Sequence, residues 1–190
     1  MSTIEANLPR STDEGWLKVY YLGRAAFAAA WVVAALALGQ QHAVLGAALL
    51  TIYPLWDAAA NFVDAARNGG LARNRTQAIN VLVSGATALA VLVALQTGLS
   101  AVLAVFGAWA ILSGLLQLAT AVRRWQAGAQ WAMILSGAQS ALAGAFFVVQ
   151  AQQPVSAVIP LLAGYAGFGA IYFFVSAMWL IIGKRRGQQR

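Results

Sequence analysis

The stretch from Tyr53 to Asn68, reading YPLWDAAANFVDAARN, holds the densest set of side chains able to do chemistry. Asp57, Asn61 and Asp64 stand at i, i+4 and i+7, which places both carboxylates and the amide on one face of a helix. Such a face can receive a guanidinium, hold a cation or pass a proton. Arg24 is the matching cation: it lies about six residues, roughly 9 Å of helix rise, inside the basic end of its segment, and Asp57 lies about ten residues inside the same end of the next. Two readings stay open. Arg24 and Asp57 form a buried ion pair that fixes two helices in register, or Asp57 changes protonation while Asn61 and Asp64 continue a polar path. A third reading pairs Asp64 with Arg67 or Asn68 at the membrane interface. Pro54, one turn before Asp57, and Pro160 each remove a backbone donor, as happens at ion sites and at plain kinks.

Gln117 and Gln139 are amides within apolar segments, either ties between helices or contacts to a pore or substrate. His42 is the single histidine and reads as a solvated turn residue. One histidine, no cysteine and scattered carboxylates make no metal cluster, and phosphate loops, a Ser-His-Asp set and zinc-protease signatures are missing. No catalytic residue, metal or cofactor is expected, and the chain is not expected to be an enzyme.

The elements that position these residues follow from composition. Of the 190 residues 61% are hydrophobic and 9% charged, too little polar surface for a soluble domain of this length. A hydrocarbon core about 30 Å thick takes roughly 20 apolar residues per helix, and six such segments are present. They run approximately over 18–39, 43–66, 77–97, 100–121, 130–150 and 156–183. The expected fold is an all-α polytopic membrane bundle of six transmembrane helices, arranged as three repeated hairpins over 18–66, 77–121 and 130–183. Polar tails cover 1–17 and 184–190. Of the 12 Lys and Arg residues, all but Arg24 lie in the tails, in alternate linkers or, for Lys18, at the very start of the first span, while the other linkers have none. The positive-inside rule then puts both termini in the cytoplasm.

That topology accounts for the net charge of +7 and favours contact with anionic lipid headgroups, so no nucleic-acid partner is expected. Trp16, Trp125 and Trp131 adjoin the basic ends, where indoles anchor at headgroup level. Ala35-Leu36-Ala37 mimics a signal-peptidase site, but the preceding region is long and acidic, and removing the first span would leave the second unpartnered. A homo-oligomer or a membrane-protein partner is left open.

Ser84-Gly85-Ala86 recurs as Ser136-Gly137-Ala138, and Phe106-Gly107-Ala108 as Phe168-Gly169-Ala170, each at a matching depth from a basic end. Helices in lipid associate through small residues and cross-helix polar bonds. Ser84, Gly107, Gly114, Ser136, Ser140 and Gly144 are accordingly read as packing or polar ties, together with Gln117 and Gln139. These repeats and the stretch FGAWAILSGLLQLATAVRRW resemble the HdeD-like acid-resistance membrane proteins, a short-repeat family of unknown molecular function. The resemblance implies a bacterial inner-membrane protein of six spans, associated in some members with acid stress, and carries no catalytic residues over. The expected function is non-enzymatic support of envelope or acid-stress tolerance through packing, lipid or partner contacts. The alternative is a small channel or transporter for protons, ions or small molecules, using Arg24, Asp57, Asn61 and Asp64.

Overall fold

A computed structural model of the chain describes residues 10–123 and 131–187. Helix α1 (Arg10–Ala34) continues into a π-helical turn (Ala35–Gly39) and is followed by α2 (Ala43–Arg67), α3 (Arg75–Thr97), α4 (Leu99–Arg123), α5 (Trp131–Gln150) and α6 (Ile159–Gly187). Trp125 lies outside the described residues, as do the side chains of Trp131, of residues 1–14 and of residues 183–190. Five helices are long and apolar enough to cross a membrane, and the described apolar part of α5, Ile134–Gln150, is shorter. The chain is an all-α, multi-pass membrane protein.

The helices stop where the backbone chemistry changes. Gly98 alone joins α3 to α4 with φ at 134°, a conformation that side chains with a Cβ rarely adopt. Its N–H still donates to the Ala94 carbonyl at 2.9 Å. Pro54 does not break α2, which runs unbroken around it. Its ring opens the carbonyl ladder one turn back, and the neighbouring Leu49 carbonyl takes the Trp31 indole N–H at 2.7 Å. Pro160 differs from expectation, because α6 begins at Ile159 and the proline sits in the first turn. An N–H there has no helical acceptor, so nothing is lost and no kink arises.

The six helices form a ring in which each packs on its sequence neighbours and α6 closes against α1. Close packing does not follow the expected hairpins. The tightest pairs are α4 with α5, α2 with α3 and α1 with α6, whereas the α1–α2 and α5–α6 seams are thin. Glycine explains the tightest pair. A Cβ on Gly114 would sit 2.5 Å from the Gly137 carbonyl oxygen, and one on Gly144 would sit 2.5 Å from that of Gly107. The two helices therefore touch backbone to backbone at two levels two turns apart, gaining dispersion contacts that bulkier residues would forbid.

The ring's interior is divided by depth. Toward the uncharged end it is filled by Trp31, Leu50, Val91, Leu103, Phe106 and Leu162, all buried. The paired repeat motifs occupy unlike places: Phe106 is 1% exposed inside this plug, while Phe168 is 56% exposed on the outer face of α6.

The α4–α5 contact yields a controlled prediction. Gly114→Ala should lower the melting temperature in detergent, as overpacking of about 1–3 kcal/mol would. Gly85→Ala, where a Cβ meets nothing within 4 Å, should leave it unchanged.

Candidate functional site

Arg24 on α1 forms an ion pair with Asp57 Oδ1 on α2. The other carboxylate oxygen of Asp57 accepts the Asn61 side-chain amide at 3.0 Å and the Ser84 hydroxyl of α3 at 2.8 Å. Ser84 in turn accepts the indole N–H of Trp109 on α4 at 2.9 Å. Arg24 also donates through Nη1 to the Tyr20 hydroxyl at 3.0 Å, and its guanidinium lies 4.5 Å from the centre of the Phe173 ring on α6. Five helices thus converge on one charge pair. Each partner removes part of the cost of taking charge out of water, which neither ion could bear alone.

Two turns toward the basic end, Asp64 forms a second polar level. It accepts the Trp16 indole N–H at 3.2 Å, the Asn68 amide at 3.0 Å and the Gln77 amide at 3.3 Å. All three donors are neutral. Of the two expected partners Asn68 is in place, while Arg67 instead stacks its guanidinium 4.2 Å from the centre of the Trp16 ring. Trp16, expected as a headgroup anchor, turns inward because a buried carboxylate needs a donor more than the indole needs the interface.

Both levels border a cavity of about 180 Å³, lined by side chains from all six helices, among them Tyr20, Asn61, Asn80, Gln117, Ser136 and Ser176. A deeper chamber of about 90 Å³ adjoins it, sharing Arg24, Ser113 and Gln117 and adding Gln139, Ser140 and Tyr165. Ser140 donates to the Ala110 carbonyl at 3.0 Å and lies 2.8 Å from the Tyr165 hydroxyl, so it ties α5 to both neighbours. The apolar plug ends the chamber on its far side. A separate recess of about 350 Å³ opens at the uncharged end, beside Gly39, Gly46 and Ser156. Polar space of this size holds several waters or one small solute.

Of the residues singled out in the sequence, Arg24, Asp57, Asn61 and Ser84 meet in one network, and Asp64 lies two turns away. Gln117, Gln139 and Ser136 line the cavities, whereas Gly107, Gly114 and Gly144 form the α4–α5 contact and Ser140 bridges. His42 is exposed in the turn before α2. Tyr20, Trp109, Ser113 and Tyr165 are site residues that the sequence reading missed. A signal was present: Trp109, Ser113 and Gln117 recur every four residues, and Tyr165, Gly169, Tyr172 and Ser176 hold one face of α6. Among the described residues no group of three or more His, Asp or Glu could hold a metal ion.

Residues 79–149, from within α3 to within α5, match the family model of a short repeat of unknown function (DUF308). The matched segment holds Ser84, Ser136 and the glycine contacts, and leaves Arg24, Asp57 and α6 outside. No curated protein and no solved structure matches the chain.

The ion pair makes a stability prediction. Asp57→Asn and Arg24→Gln should each cost about 3–5 kcal/mol by stranding a buried charge, while the double variant should recover most of the loss. Chemical or thermal unfolding in detergent of all four proteins measures the coupling.

Proposed function

We propose that this chain is a non-enzymatic protein of the bacterial cytoplasmic membrane that admits a small polar solute to the cavity at its basic end, as part of a transport or uptake step. One observation carries the reading: every helix of the ring contributes a polar side chain to the same cavity, in a bundle whose interior toward the uncharged end is filled by apolar side chains. A scaffold has no need of such a lining, since polar groups inside a membrane are costly and collect where water or solute passes. On this reading the basic end and both termini face the cytoplasm, which the excess of Lys and Arg at that end supports. With the apolar plug in place the cavity opens to one side, so passage requires the plug to part. The thin α1–α2 and α5–α6 seams, between tightly packed helix pairs, are where the ring gives most easily.

A second reading is favoured by a different observation. Both oxygens of Asp57 are fully engaged, as in a purely structural tie. On that reading the chain is an HdeD-like factor that supports envelope or acid-stress tolerance through packing, lipid or partner contacts. The match of residues 79–149 to the short-repeat family is consistent with it.

The absence of cysteine makes a direct test available. Single Asn80→Cys, Ser176→Cys and Leu103→Cys variants in oriented membranes should react differently with a membrane-impermeant maleimide. The two cavity positions should label readily from the cytoplasmic side and the plug position should not. Slow labelling of Asn80→Cys from outside marks a cavity that reaches both faces. Protection of both cavity positions from either side sinks the pathway reading and leaves the scaffold.

A further inference from the structure

Two buried polar atoms among the described residues have no hydrogen-bond partner: Arg24 Nε and Ser113 Oγ. Both residues line the wide cavity and the deeper chamber, so both stand at the passage between them. A guanidinium Nε–H is a donor only and cannot be satisfied by turning around. Leaving it unmade in a low-dielectric interior costs more than an ordinary hydrogen bond gains, so an acceptor oxygen belongs at this position.

The charges decide what kind of oxygen. Arg24 is already offset by Asp57, and Asp64 adds a second carboxylate to the same cavity with only neutral donors around it. Among the described residues that line the cavity no positive charge is left over to receive an anion, and an anion beside Arg24 would stand close to Asp57. A permanent cation finds no partner at this passage either, because the open group there, Arg24 Nε–H, is a donor and can bond only to an acceptor oxygen. The rest of the lining suits uncharged solutes. Asn80, Gln117 and Gln139 each offer donor and acceptor together, as do the hydroxyls of Ser136 and Tyr172.

We infer that the passage between the two cavities is a binding site for a small uncharged solute carrying a carbonyl or hydroxyl oxygen, an amide or a polyol, held by Arg24 Nε and Ser113 Oγ. This rests on the reading of the cavity as a solute pathway and names the class of solute. Ser113 is a positioning contact that can be removed without touching the ion pair. Its hydroxyl has no protein partner, so Ser113→Ala loses no internal hydrogen bond and should fold as the wild type does.

The test is tracer entry into proteoliposomes, compared with protein-free vesicles, using acetamide and glycerol as uncharged probes and methanesulfonate and tetramethylammonium as permanently charged ones. The protein should speed entry of acetamide and glycerol and leave both ions excluded. Ser113→Ala should slow the protein-dependent entry about fivefold, the effect of one lost hydrogen bond. Ser113→Leu, which fills the passage, should abolish it. Entry of either ion without acetamide or glycerol overturns the uncharged class and leaves the pathway standing. Neutral entry at full rate in Ser113→Ala overturns the assignment to this passage. If none of the four probes enters while the cavity cysteines still label, the inference and the transport reading fall together, and water alone fills the cavity.

Discussion

A charged side chain in a hydrocarbon layer has few ways to exist, and the pairing of Arg24 with Asp57 is the one on which the rest of this bundle depends. Once Asp57 faces inward, its second oxygen needs donors, and Asn61 and Ser84 supply them from α2 and α3. Ser84 then has an acceptor position to fill, which the Trp109 indole of α4 takes. One buried charge thereby fixes the rotation of four helices about their own axes. Phe173, against the guanidinium face, extends the same constraint to α6.

The rest of the ring is organised by a different physics. Lipid offers helices no hydrophobic reason to associate, so α4 and α5 are joined by close backbone approach at Gly107, Gly114, Gly137 and Gly144. Large side chains are directed instead to the middle, where Phe106, Leu103 and Leu162 interlock into the apolar plug. The result is an interior with two halves: hydrogen-bonded and hollow toward the basic end, dry and filled toward the other. This division leaves polar side chains around the cavities toward the basic end and the apolar plug beyond them.

Much of this was legible in the chain itself. Helix number and span positions follow from apolar segment length, because a bilayer admits few other backbone structures and each span must satisfy its own peptide groups. The i, i+4, i+7 spacing of Asp57, Asn61 and Asp64 dictates a shared face, and depths within about one helical turn of each other make Arg24 the partner of Asp57. Helical rise and pitch are local properties, so sequence distance converts directly into depth and direction.

What sequence distance does not convert into is which helix stands beside which, and that only the tertiary structure decided. Hairpin connectivity suggested α1 with α2 and α5 with α6, yet the ring closes tightly at α1–α6, α2–α3 and α4–α5. Like motifs in the chain, Phe106-Gly107-Ala108 and Phe168-Gly169-Ala170, end in a buried plug and on an exposed face. The cavity exists only because six separate stripes converge. No single stripe is polar enough to announce itself, and Trp109, Ser113 and Tyr165 each look like ordinary membrane residues until their neighbours are in place. Spacing along one helix fixes which residues share a face; it is packing between helices, a matter of shape and buried polar partners across distant segments, that fixes what the face meets.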